Sequence, residues 1–160
     1  MRRKSRLEFT ILALGLFAAN TLEAQTDPFV GTWRLNVAKS KFEPGPALKD
    51  ETRIIVTGPN GMHIAIKRVT ADNRTQEFEY TTNLDGKRYP IIGDGPDGAD
   101  SISANLTAVN TMRTTATKSG KMIDASTVTV SANGRSLTVT STGTRVDGTH
   151  FKNIAVYDKE

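Results

Sequence analysis

Three turn dipeptides, Ser119-Gly120, Asn133-Gly134 and Asp147-Gly148, recur at fourteen-residue intervals, and two further turn signals stand at Gly58-Pro59-Asn60-Gly61 and Asp85-Gly86. Gly, Asn and Asp supply the positive φ that tight hairpins need, and each interval leaves room for one strand and little else. The residues between the turns alternate. Met62, Ile64 and Ile66 are interleaved with His63, Ala65 and Lys67; Ile102, Ala104 and Leu106 with Ser103, Asn105 and Thr107; Leu137 and Val139 with Thr138 and Thr140. Period-two alternation describes strands with one face buried and one wet. A composition low in aromatics (6%) and rich in Thr, Val and Ile points the same way.

The pattern predicts an all-β fold: ten strands over 29–37, 51–58, 61–70, 74–84, 87–92, 100–107, 110–118, 121–132, 135–143 and 148–158. Ten strands joined in an antiparallel meander leave two long edges unless the sheet closes, so an up-and-down barrel of about eight to ten strands is expected. Loops are expected at 38–49, which contains Pro44-Gly45-Pro46, and at Gly93-Asp94-Gly95-Pro96-Asp97-Gly98. No long helical pattern follows residue 24.

Ahead of this region, Arg2, Arg3, Lys4 and Arg6 precede the apolar run 9–19, and Leu22-Glu23-Ala24 follows. That order reads as a signal peptide over 1–24 with a single domain over 25–160, which implies a secreted or periplasmic protein. The apolar run falls short of the roughly 20 residues a membrane helix needs, so no span is expected once the leader is removed. Removing it takes four of the 21 Lys/Arg and two of the 17 Asp/Glu, leaving 17 against 15. A nearly neutral domain lacks the clustered cations that nucleic-acid binding requires. The chain has no Cys, so no disulfide supports the core.

Phe29-Val30-Gly31-Thr32-Trp33-Arg34-Leu35, followed by Ser40 and Phe42, resembles the opening of the fatty-acid-binding protein family. Ser136-Leu137-Thr138-Val139-Thr140 and Ala155-Val156-Tyr157-Asp158-Lys159 are similar to that family's last two strands. The opening also resembles a group of secreted, lipocalin-like bacterial proteins in the same calycin superfamily. The resemblance implies that Gly31 and Trp33 plug one end of a barrel. Three departures stand out. The family's ligand-gripping Arg on the final strand is replaced by Ala155, the segment 38–49 carries prolines where the family places a helical lid, and the family is cytosolic.

Alternate residues of a strand share a face. Phe151, Asn153 and Tyr157 on the last strand, with Met62, Ile64, Phe78 and Tyr80, are the candidate ligand contacts, the interior being either an open cavity or a packed core. Arg53, Lys67, Arg68, Arg113 and Lys121 read as surface charges unless one points inward, where an Arg could replace the missing carboxylate grip. No catalytic constellation is present: His63 and His150 are the only histidines, and no Gly-x-Ser-x-Gly elbow occurs. Asp94, Asp97 and Asp100 fit a turn cluster rather than a calcium loop, and Glu77 and Glu79 fit an exposed strand face. No metal or other cofactor is expected. The expected function is a binding protein holding a small hydrophobic molecule inside the barrel. The alternatives are an interaction or inhibitor module using the open-end loops and, by analogy alone, a barrel enzyme.

Overall fold

A computed structural model describes residues 27–160; the leader segment 1–24 lies outside the described residues. Twelve strands form one antiparallel sheet: β1 (Gly31–Leu35), β2 (Lys41–Glu43), β3 (Asp50–Gly58), β4 (Gly61–Val69), β5 (Thr75–Thr82), β6 (Asp85–Pro90), β7 (Ile92–Gly93), β8 (Ser101–Ala108), β9 (Thr111–Lys118), β10 (Lys121–Val130), β11 (Ser136–Thr144) and β12 (His150–Lys159). The order around the sheet is β6-β8-β9-β10-β11-β12-β1-β3-β4-β5-β7, with β2 on the edge of β12. First and last strands are joined, Leu35 opposite Tyr157 and Trp33 opposite Lys159, so the meander curls into a nearly closed barrel.

The hairpins follow the turn chemistry. Gly58 pairs with Gly61 across Pro59-Asn60, and Lys118 pairs with Lys121 across Ser119-Gly120, both turn residues having positive φ. Asp85-Gly86 departs from expectation. It lies inside β6, where the pairing with β8 shifts register between Asp85 and Arg88, and the turn is made one step earlier by Leu84 at φ 56°. β5 and β6 therefore do not pair with each other. The seam between them is bridged by β7, whose Gly93 and Ile92 pair with Phe78 and Glu79.

The segment 38–49 is also more regular than expected. A 3-10 turn over Val37–Lys39, capped by Asn36 Oδ1, reverses the chain. β2 then lies along β12, with Phe42 opposite Asn153. It covers an edge that β1 leaves bare beyond Leu35, and a bare edge is what a sheet protein avoids.

The inward faces divide the barrel lengthwise. At one end Phe29, Trp33, Ile55, Met62, Ile64, Met112, Val130 and Leu137 are buried together in a continuous apolar core, each contributing roughly 1.5–3 kcal/mol by removal from water. Trp33 is fully buried, donates its indole N–H to the Phe29 carbonyl at 2.8 Å, and has the Lys159 ammonium 5.0 Å from its ring centre. Gly31 beside it has φ 146°, and a Cβ there would meet Lys159 Cε at 2.6 Å. Toward the other end the inward positions turn polar, and the core gives way to a cavity.

Candidate ligand-binding cavity

The cavity has a volume of about 640 Å³ and is open at the end formed by the 42–48, 70–74 and 96–98 segments. Such a volume is within the usual range for small-molecule sites. Its walls carry apolar surface from Phe42, Ile66, Phe78, Tyr80, Phe151 and Ala155, and charged groups from Glu51, Arg53, Arg68 and Asp124.

The polar groups arise from the same strand parity that buries the core. On β3 Glu51 and Arg53 share the inward face with Ile55. On β4 Arg68 continues the series Met62, Ile64, Ile66. On β10 Asp124 and Ser126 continue Val128 and Val130. Each strand thus enters the packed end with apolar side chains and leaves it with hydrophilic ones.

Glu51 anchors one wall. Its side chain is 1% exposed, and Oε1 accepts from Arg53 Nε at 2.6 Å and from the Tyr157 hydroxyl at 2.7 Å. The Arg53 guanidinium also lies 4.8 Å from the Tyr157 ring centre. Burial opposes the Arg53 charge, but Glu51 and Tyr157 outweigh it and hold the group above its ordinary value. Burial likewise pushes the Tyr157 hydroxyl up, against the pull of Arg53. A buried ion pair of this kind survives because every charge has a hydrogen-bonded partner.

Arg68 is held differently. Its Nε donates to Gln76 Oε1 at 2.8 Å, and its guanidinium lies 5.5 Å from the Phe78 ring centre. Among the described residues no carboxylate comes within 4.0 Å of it. Burial lowers its pKa, Glu51 opposing, and it stays charged because arginine does not deprotonate in proteins. Across the cavity, Asp124 Oδ1 accepts from Ser126 Oγ at 2.6 Å, and Ser126 lies 2.8 Å from Ser141 Oγ. Burial raises the Asp124 carboxyl above the ordinary aspartate range, opposed by the Ser126 bond and the Arg53 charge. At the rim, hydrogen bonds from Thr70 and Arg74 hold Asp72 down to about 2, and Arg145 Nη1 donates to the Gly45 carbonyl at 2.7 Å.

Of the residues singled out from the sequence, Phe78, Tyr80, Phe151, Asn153 and Tyr157 line the cavity. Met62 and Ile64 share the inward face but sit at the packed end, where the strands run into the Trp33 core and leave no space. Ala155, where the resembled family has an Arg, is part of the cavity wall. The inward Arg sits instead on β3 and β4. Glu51, Gln76, Asp124, Ser126 and Ser141 were not foreseen as lining residues, and Arg53 and Arg68 only as two of five charges that would matter if one pointed inward, although continuing each strand's parity past its last apolar residue places all of them inside.

The histidines lie apart from the cavity. His63 Nδ1 is 3.1 Å from Thr81 Oγ1 on the outer face, and His150 Nδ1 is 3.0 Å from Thr144 Oγ1. Glu77 and Glu79 are also outside, facing Lys67 and His63. Asp100 accepts from Ser101 Oγ and the Ser119 amide, as a turn-capping carboxylate does. Among the described residues, no group of three or more His, Cys, Asp or Glu is placed to hold a metal ion, and no helix is long and apolar enough to cross a membrane.

The chain thus forms an up-and-down meander barrel, nearly closed between its first and last strands, plugged by Trp33 at one end and hollow at the other. No protein-family model matches the chain, and no curated protein matches it. Among solved structures, the chain is similar to zebrafish ileal bile acid-binding protein complexed with cholic acid, at 14% identity, covering 83% of this chain and 99% of that one, with a TM-score of 0.49.

Proposed function

We propose that the protein binds a small amphipathic acid inside the barrel, its apolar body against Phe42, Ile66, Phe78, Tyr80 and Phe151 and its anionic group on the Arg68 guanidinium. The observation that carries this reading is Arg68 itself. It is a cation facing a cavity, oriented by Gln76 and Phe78, with no carboxylate within 4.0 Å among the described residues. A guanidinium so placed keeps its terminal N–H fork for an incoming carboxylate. The ligand expected from the sequence was hydrophobic; the charged lining adds the requirement for a polar head.

The reading is a binding protein rather than an enzyme. Tyr157 and Glu51, the groups best placed for proton transfer, are bonded to each other and to Arg53. The order of basic, apolar and small residues in 1–24 supports export, so the ligand would be met outside the cytoplasm.

Titration calorimetry with dodecanoate and dodecanol tests the proposal. The acid is expected to bind more tightly, and Arg68→Met to weaken the acid about 10- to 100-fold, as loss of a charged hydrogen bond does, with little effect on the alcohol. Equal affinities for acid and alcohol in both proteins would overturn it.

A further inference from the structure

Arg68 and Asp124 face the same cavity from opposite walls. Counting from β4 through β3, β1, β12 and β11, Asp124's strand β10 is the fifth; counting the other way through β5, β7, β6, β8 and β9, across the seam, it is the sixth. Neither side chain has an oppositely charged group within 4.0 Å among the described residues, and each is held by one neutral partner, Gln76 for the cation and Ser126 for the anion. The interior therefore has separated charges of opposite sign.

The wall around Asp124 is built to accept protons. Ser126 donates to Asp124 Oδ1, so the 2.8 Å contact between the two serines leaves Ser141 as donor to Ser126. Both hydroxyl protons are thus turned along the wall toward the carboxylate, which leaves Ser141 only its lone pairs to offer. In register with Ser141 on the neighbouring strand stands Asn153, whose Oδ1 is buried with no hydrogen-bond donor. An unmet buried acceptor costs about 1–3 kcal/mol, so this side of the barrel is short of donors, and its carboxylate has no cation within 4.0 Å among the described residues, the Arg53 and Arg68 charges acting on it from farther away. Asp97 at the rim adds a second negative charge near Asp124. An ammonium, compact and positively charged, complements the Asp124 carboxylate, which faces the cavity with Ser126 as its hydrogen-bond donor.

We infer that the cavity takes a zwitterion, its carboxylate on Arg68 and its ammonium on the Asp124 carboxylate. This rests on the amphipathic-acid reading and narrows it to amino acids whose two charges are separated by an apolar spacer.

Calorimetry with 4-aminobutanoic, 6-aminohexanoic and 8-aminooctanoic acids, each beside the carboxylic acid and the amine of equal length, tests the inference. At least one amino acid is expected to bind tenfold or more tightly than both of its matched controls. Asp124→Asn should abolish that advantage and bring the plain acid to higher affinity, because a like charge has been removed; near-UV circular dichroism of the Trp33 environment checks that the variant is folded. A plain acid that binds as well as its amino acid, or a preference that survives Asp124→Asn, overturns the zwitterion while leaving the amphipathic-acid reading in place. Failure of every acid and amino acid to bind overturns both.

Discussion

The Tyr157 hydroxyl donates to Glu51 Oε1 at 2.7 Å, joining two side chains that are each 1% exposed and stand 106 residues apart in the chain. Tyr157 is on β12 and Glu51 on β3, the strands flanking β1. The bond spans β1 on the inside of the barrel and fixes the closure at the level where the apolar core ends. Arg53 completes the group, so closure and the first charged layer of the cavity are one structural unit.

Breaking this unit has graded consequences. Tyr157→Phe removes one donor and leaves Arg53 on Glu51, for an expected loss of about 1–3 kcal/mol. Glu51→Ala leaves the Arg53 charge, with 17% of its side chain exposed, without its partner, and about 3–5 kcal/mol is expected. Urea unfolding followed by Trp33 fluorescence measures both. The double variant should lose clearly less than the sum, since the two residues share one network.

Much of this architecture is legible in the sequence because strand parity and turn chemistry are local. The Ser119-Gly120 and Gly58-to-Gly61 hairpins follow from φ preferences, and Phe151, Asn153 and Tyr157 share a face because a strand allows nothing else. The seam is not local. Whether Asp85-Gly86 turns the chain or bulges a strand depends on what β8 offers opposite, and β8 lies beyond a further loop. The inward charges are hidden for a different reason. Arg68 and Asp124 look like surface residues by type, and only the space between two distant walls makes them cavity groups. Met62 and Ile64 show the converse: parity gives the face but not the depth along the barrel.

The seam is expected to depend on Gly93. It has φ 92°, and a Cβ there would come 2.3 Å from the Glu77 carbonyl oxygen and 3.1 Å from Phe78 Cα, both backbone atoms that cannot move aside. Gly93→Ala should detach β7 from β5. The Asp94 amide, which donates to the Glu77 carbonyl at 2.8 Å, should then lose its protection in hydrogen exchange, while β10 and β11 keep theirs. Unchanged protection at Asp94 would show that β7 does not clasp the seam.

At the packed end, Trp33→Phe removes the indole N–H and leaves both a small void and an unmet Phe29 carbonyl. About 2–3 kcal/mol of stability should be lost, read as a lower urea midpoint at constant slope. In the native protein the single Trp is fully buried, so its emission should resist iodide quenching until the barrel unfolds.

Asp124 gives the unliganded protein a pH dependence of unusual sign. Burial raises its pKa in the folded state, above the ordinary value near 3.9, so folding favours the protonated form. Its contribution is fully present below the unfolded value and is lost as pH rises through the folded one. At neutral pH the ionised Asp124 therefore opposes folding, and Asp124→Asn should raise the Tm. That gain should shrink as the pH falls through the raised folded value and disappear once the pH is well below the unfolded value near 3.9, where the aspartic acid is neutral in both states. Asp72, Asp100, Asp147 and Asp158 are shifted the other way, so both proteins lose stability in acid, and it is the difference between them at each pH that isolates Asp124. A saturating amino acid whose ammonium meets the carboxylate should reverse the relation at pH 7, since the charge that opposes folding in the empty cavity is then the one that holds the ligand. Thermal melts of both proteins from pH 3.5 to 8, with and without 8-aminooctanoic acid, would show the crossing; a Tm difference that stays constant across that range would remove Asp124 as its source.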